Sequence, residues 1–392
     1  MDDRATVVIV GGGVIGSAVA YFLASDADFD GTVVVVERDP AYEQAATPRS
    51  WGGIRQQFST PENIRMSAFG AAFMQRAAQQ LAVGHWQPDL QFRQQGYLFL
   101  ASPAGVSTLR ENCRVQRELG AATEFLDPAA LAARFPWLRT ADLGGGGFGS
   151  RNEGWIDPFA LLQGFRRKAR SLGVTYRHGE VVAVQRGNER VDGVTLDDGQ
   201  QLTCESLVIA AGPWSGRVAA LAGVDLPVSP RKRITYVFDC QEDISRAPLT
   251  VDPGGVAFRP EGRQYLAIVS PPAEQDPDCE DLAVDQHWFE DTIWPALARR
   301  VPAFEAIRQT TAWAGHYDYN TVDQNALIGA HPALDGLYCC TGFSGHGVQQ
   351  APAAGRALAE LLVHGDFQTI DLHRFGVERV LNGQPLPEAN VV

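Results

Sequence analysis

The sequence predicts an α/β chain, α+β overall, in which a domain built on a parallel βαβ unit is joined to a second domain built on an antiparallel sheet. Three stretches predict it. Val7-Val8-Ile9-Val10 runs into Gly11-Gly12-Gly13-Val14-Ile15-Gly16, then a helix-like segment, then Val33-Val34-Val35-Val36-Glu37. A second apolar strand, Ser206-Leu207-Val208-Ile209, ends in the small residues Ala210-Ala211-Gly212. Between about 226 and 310, Ile234, Tyr236 and Phe238 alternate like one face of a half-buried sheet.

The opening unit has the pattern of a Rossmann-like dinucleotide site. Gly11 permits the tight turn, Gly13 lets the backbone approach a pyrophosphate, and Gly16 lets the helix pack closely on the strand. The phosphate charge then meets the free amides at the start of a helix expected over about 15–24. Glu37 lies 21 residues beyond Gly16, where a carboxylate can accept hydrogen bonds from the adenosine ribose and disfavours a 2′-phosphate.

Composition bounds the remainder. The 392 residues, 45% hydrophobic and 20% charged, suffice for a sizeable core in two domains. A net charge of −13 argues against nucleic acid as partner. No apolar run reaches the length of a membrane span, and the first strand is expected near Thr6, so the chain is expected to be cytoplasmic. Six cysteines without CxxC spacing signal neither a metal site nor a disulfide framework. Lys168 and Lys232 are the only lysines beside 31 arginines, so lysine chemistry has two candidates.

Along the chain, Pro61 marks the first turn of a helix expected to reach about Leu81. A strand is expected at Gly96–Leu100 and a helix at about 104–119. Asp157 can cap a helix to about Leu172, and Asp198-Gly199 turns a hairpin between Gly193–Leu196 and Gln201–Thr203. A further hairpin is expected around Glu261-Gly262, and a helix at about 285–300. The division that follows is 1–85, 150–225 and 311–392 for the nucleotide domain, with 86–149 and 226–310 for the substrate domain.

The glycine pattern recurs at Gly144-Gly145-Gly146-Gly147-Phe148-Gly149. No β-rich run precedes it and no helix follows, so it reads as a glycine-rich loop. One dinucleotide is therefore expected, either NAD with a substrate or FAD taking electrons directly from one. Near the end, the strand Leu337–Thr341 delivers Gly342-Phe343-Ser344-Gly345-His346-Gly347 into a helix expected over about 348–363, with Pro352 tolerated near its start. A helix N-terminus after such a loop favours an anion, and a reduced flavin is one.

These segments, in this order, resemble the D-amino acid oxidase superfamily of FAD enzymes, which includes sarcosine oxidase, glycine oxidase and dimethylglycine dehydrogenase. The resemblance spans nearly the whole chain. Within that superfamily, Gly52-Gly53-Ile54-Arg55-Gln56-Gln57-Phe58-Ser59, Trp313-Ala314-Gly315 and Tyr317-Asp318-Tyr319-Asn320-Thr321 look similar to the mitochondrial FAD-dependent oxidoreductase-domain type associated with respiratory complex I assembly. The resemblance implies FAD contacts at Gly11, Gly13, Val14, Ile15, Gly16, Glu37 and Arg38. It implies others along Ser50, Trp51, Gly52, Gly53, Arg55, Gln56 and Gln57, and an adenine-side contact at Val182. Ala211, Gly212, Trp214, Gly315 and the run Gly342, Phe343, Ser344, Gly345, His346, Gly347, Val348 and Gln349 complete the set.

Departures limit the transfer. The sarcosine oxidase lysine that promotes reaction with oxygen would fall close to Ala267, and the one that helps hold a substrate carboxylate at Gln349; neither is present. Arg55, whose bland reading is a surface guanidinium, Arg259 and Arg233 remain candidate carboxylate anchors, with Arg233 read first as a surface charge. His346 is a candidate for positioning the cofactor ahead of transferring a proton, and Asp323 reads as a turn-stabilising carboxylate. Neither Cys nor His stands at Trp51-Gly52, so FAD is expected without a covalent link, His316 being the one candidate for attachment.

The expectation is an FAD-dependent amine or amino acid oxidoreductase, a dehydrogenase more than an oxidase. Arg55, His346, Arg259 and Gln349 are its catalytic candidates. By the resemblance, a hydride passes to flavin N5 and an imine leaves and hydrolyses. A flavin-containing assembly factor acting through a protein partner and an NAD-linked dehydrogenase stand as alternatives. The expected partners are a small amine or amino acid and, as electron acceptor, a protein or a quinone, without metal, nucleic acid or membrane span.

Overall fold

The computed structural model describes residues 4–389. The first strand, Arg4–Val10, lies between the parallel strands Gln201–Ile209 and Val33–Glu37. Leu337–Thr341 and Thr175–His178 extend the parallel sheet on either side, and Leu327–Ala330 adds an antiparallel edge. The helices Val14–Ser25 and Gly347–His364 pack together on one face through small residues. A Cβ added at Gly355 would stand 2.7 Å from the Cβ of Ala18. Every parallel strand therefore points its carboxyl end the same way, which is where open α/β sheets place ligands.

The second sheet has eight strands, in the order Ile307–Asn320, Val228–Cys240, Gln264–Val269, Val256–Glu261, Leu249–Val251, Tyr97–Ala101, Gly145–Gly149 and Thr123–Leu126. All neighbours are antiparallel except Leu249–Val251 with Tyr97–Ala101. One face buries Tyr236, Phe238, Phe258, Ala267 and Phe304. The other carries Ile268, Leu249 and Val251 against Trp51, Tyr97 and Trp155. No helix among the described residues is long and apolar enough to cross a membrane.

Most elements stand where the sequence puts them. Asp157 caps Pro158–Ser171 by accepting from the amides of Phe159 and Ala160, and Gly199 turns the hairpin at φ 83°. Three places differ. Pro61–Gln75 ends at Arg76 before the short helix Ala77–Gln80 begins. Residues 311–320 stand in the second sheet, because Ile307–Asn320 pairs with Val228–Cys240 along its whole length; the chain crosses back after Asn320 and not at 311. The glycine-rich segment is a buried strand, Gly145–Gly149, and not a loop. Period-2 alternation cannot reveal a strand whose residues lack side chains. Glycine is required there by what covers the strand: a Cβ at Gly145 would meet the Phe125 ring at 2.3 Å, and one at Gly149 the Glu153 carboxylate at 1.9 Å.

Candidate functional site

A cavity of about 950 Å³ runs across the carboxyl ends of the parallel strands. Gly11, Glu37, Gly179 and Ala211, each at the end of a different parallel strand, line it. The glycine roles are visible in the geometry. Gly11 has φ 102°, and a Cβ there would lie 2.4 Å from the Ala210 carbonyl oxygen; a Cβ on Gly16 would lie 2.0 Å from the Gly11 oxygen. Gly13, by contrast, faces open space toward Thr47, whose hydroxyl accepts from the Val14 amide at 3.2 Å. The turn, the helix packing and the free approach to a helix N-terminus are thus assigned to three different glycines.

Glu37 is held from both sides, accepting from the amides of Gly12 at 2.7 Å and Asp39 at 2.8 Å, while burial raises its pKa. Val182 lines the same end and is 48% exposed. Arg38 stacks 4.7 Å over Trp214, which meets the His316 ring edge-on at 5.8 Å. At the far end the wall is made by Gly345, Gly347 and Val348 at the start of Gly347–His364, together with Gly315, Tyr317 and Asp318. Burial pushes the Asp318 carboxyl up to about 6, against a hydrogen bond from the Phe343 amide. Thr47 and Arg49 belong to this wall without a motif to mark them, and Asp318 belongs to it from within the Tyr317–Thr321 segment.

The expected residues fall into two groups. Gly11, Gly13, Val14, Ile15, Glu37, Arg38, Ser50, Val182, Ala211, Gly212, Trp214, Gly315, Gly345, Gly347 and Val348 line the cavity. Gly16, Trp51, Gly52, Gly53, Arg55, Gln56, Gln57, Gly342, Phe343, Ser344, His346 and Gln349 do not line it. Gly52, at φ 65°, has no room for a Cβ beside the Ile156 carbonyl. Gln349 is buried and accepts from the Arg55 amide at 2.8 Å. It therefore holds the backbone of that arginine.

Arg55 is half-buried in an aromatic box, with its guanidinium 4.0 Å from the Phe58 ring centroid and 5.0 Å from that of Phe99. It donates to the Gln57 carbonyl and lies 2.9 Å from His346 Nε2, and no carboxylate pairs with it among the described residues. Burial and this guanidinium push His346 down to about 3, so the imidazole is neutral and its Nε2 accepts a hydrogen bond from Arg55. Tyr317, on the cavity wall, lies within reach of both Arg55 and Arg233, whose charges oppose the rise that burial gives its phenol.

Arg233 is not a surface charge. It is buried, lines the cavity, and makes two parallel bonds to Asp276, at 2.7 and 2.8 Å. Arg259 is buried too; it pairs with Glu261 and donates to the Trp51 carbonyl at 3.2 Å. An acid of the chain thus already counters the charge of each guanidinium, while the buried Nε of each has no hydrogen-bond partner among the described residues. Ala267 faces the core, and its neighbour Ile268 is the residue of that strand on the cavity wall. Asp323 is bonded to Arg379, Asn320 and Asn325, in keeping with a structural carboxylate.

A family model described as FAD dependent oxidoreductase matches residues 6–361. The chain belongs to this family. It is 44% identical over 425 residues to the FAD-dependent oxidoreductase domain-containing protein 1 of Xenopus laevis, covering 100% of this chain and 85% of that protein. It is 27% identical over 381 residues to the sarcosine oxidase subunit beta of Rhizobium meliloti, covering 92% and 84%. Among solved structures, L-proline dehydrogenase from P. horikoshii superposes with a TM-score of 0.85 at 24% identity, over 98% of this chain and 100% of that one. The family settles the cofactor as FAD, and the residues fit it: a long cleft, a carboxylate at one end, glycines open to a pyrophosphate in the middle, and a second helix N-terminus at the other end.

Proposed function

We propose that this FAD-dependent oxidoreductase oxidises the C–N bond of a primary or secondary amine that carries a carboxylate. The carrying observation is Arg55, the guanidinium that aromatic rings box in beside the cavity-lining Tyr317 and that no acid among the described residues pairs with. A planar guanidinium donates two parallel hydrogen bonds to a carboxylate, and in a partly dehydrated box that attraction is stronger than in water. The names of the sarcosine oxidase and proline dehydrogenase relatives support the same substrate class. Removal of a hydride and a proton from the substrate leaves an imine that water hydrolyses; FAD, when bound, is the two-electron acceptor. Ile268 and Thr235 give the second domain's side of the site an apolar surface with one hydroxyl, which is donated a hydrogen bond by Trp51 Nε1 at 2.9 Å. His346, neutral and fixed by Arg55, positions that arginine and is not the base.

Anaerobic mixing with a panel of N-methyl, cyclic and D-amino acids, followed by absorbance, tests the reading. Bleaching of the flavin by amino acids and not by the matching amines is the expected result. Bleaching by no member of the panel would overturn it and leave the flavin-containing assembly factor.

A further inference from the structure

We propose that Glu153 is a positioning residue for Arg55, and that the glycine strand Gly145–Gly149 exists to seat it. The inference rests on Arg55 as the carboxylate anchor and goes beyond it to what aims that anchor.

Glu153 is 1% exposed and does not touch the cavity. One carboxylate oxygen accepts from the Gln56 amide at 2.7 Å, and the other from Gln57 Nε2, also at 2.7 Å. Gln57 donates again to the Tyr97 carbonyl at 2.9 Å, and its own carbonyl receives the Arg55 guanidinium. Both residues that follow Arg55 are thus pinned by one buried acid. The space for this arrangement comes from the glycines. A Cβ on Gly149 would collide with the Glu153 carboxylate at 1.9 Å, and one on Gly147 would crowd Gln57 Oε1 at 3.1 Å. The recurrent glycine pattern that has no nucleotide to bind has this use instead.

A carboxylate is required by the hydrogen-bond inventory. Burial pushes the Glu153 carboxyl up to about 7, and the hydrogen bonds from Gln57 and Gln56 oppose that rise; with both oxygens facing donors, a glutamine of the same size would place its amide NH₂ against a backbone N–H or against the Gln57 NH₂. One bond would be lost and one donor left buried without an acceptor. Electrostatics alone gives the opposite sign, because removing a negative charge near Arg55 should strengthen its hold on an anion. The direction of change separates the two.

The experiment uses the FAD-loaded protein and propionate as the carboxylate probe, with propylamine as control, reading the flavin absorbance change on binding. The parent should bind propionate, and Arg55→Ala should not. Glu153→Gln should bind it about tenfold or more weakly, with an unchanged response to propylamine and an unchanged resting flavin spectrum. Gly149→Ala, which displaces the same carboxylate, should behave likewise. Propionate binding equal to or tighter than the parent's in a folded, FAD-loaded Glu153→Gln protein overturns the inference. Propionate binding that survives Arg55→Ala overturns instead the reading on which it rests.

Discussion

Arg55 and His346 meet at 2.9 Å, guanidinium against imidazole Nε2, across the boundary between the Gly53–Ile54 segment and the start of Gly347–His364. Burial first, and then this contact, keep the histidine neutral. With its pKa pushed down to about 3, His346 takes no proton in the folded protein over the range where the unfolded chain, at about 6.5, does. The unfolded state then binds more protons, so this group's effect is to lower stability as pH falls from about 6.5 towards 3. His346→Gln should flatten that part of the stability profile measured by denaturant titration at several pH values, and should remove no limb from the pH profile of kcat/KM near neutrality.

Glu37→Ala should weaken FAD binding at least tenfold. A carboxylate hydrogen bond to a ribose hydroxyl contributes about 1.5–3 kcal/mol, and the substitution also leaves the Gly12 and Asp39 amides without their acceptor. Asp323→Ala should affect affinity less and stability more, because it strands the buried Arg379 guanidinium, a loss of about 3–5 kcal/mol. Fluorescence titration of the apoprotein with FAD, beside thermal melting, reads both. Equal FAD affinity in the Glu37 variant and the parent would reject the role given to that strand end.

FAD should come off when the protein is denatured in acid. His316 is the side chain that could hold it: buried on the cavity wall, with its pKa lowered by burial, it has an Nε2 bonded to nothing among the described residues. A yellow supernatant over a colourless pellet is expected. A yellow pellet that turns colourless in His316→Ala would establish a bond through that imidazole.

The nucleotide domain was legible because its signals are local. The glycine turn, the acid at the end of the second strand and the Asp157 cap are each fixed by residues within a few positions of one another. What the sequence hid depends on distant partners. Gly145–Gly149 reads as a loop until Phe125 and Glu153 are seen to fill the space its missing side chains leave. Arg233 reads as a surface charge because Asp276, which neutralises it, lies 43 residues away on a loop. Glu153 stands in an unremarkable Arg-Asn-Glu-Gly segment, and only its contact with Gln57, 96 residues earlier, gives it significance. The face of a strand was ambiguous by one residue at Ala267, where a shift of one exchanges core for cavity.

Oxygen should reoxidise the reduced flavin slowly compared with a quinone or phenazine. Oxygen reduction begins with superoxide, and a nearby cation stabilises that anion strongly where water is excluded. The cavity wall on the second sheet offers Ile268 in place of a cation, and His346 is neutral. The arginines of the wall are engaged already: Arg233 by Asp276, Arg217 by Glu280, Arg38 with Glu180, and Arg49 by the Glu43 and Ala314 carbonyls. Lys232 is tied to Asp281 at 2.8 Å, and Lys168 donates to the Ala82 carbonyl on the far helix. Arg55, beside the wall, is a cation that no acid among the described residues pairs with, and a bound substrate or product carboxylate would neutralise it. Stopped-flow mixing of anaerobically reduced protein with air-saturated buffer, beside the same experiment with the artificial acceptor, measures the contrast. Ile268→Lys should raise the oxygen rate at least tenfold and leave the quinone rate near that of the parent. Reoxidation of the parent by oxygen as fast as turnover would show that Arg55 alone suffices.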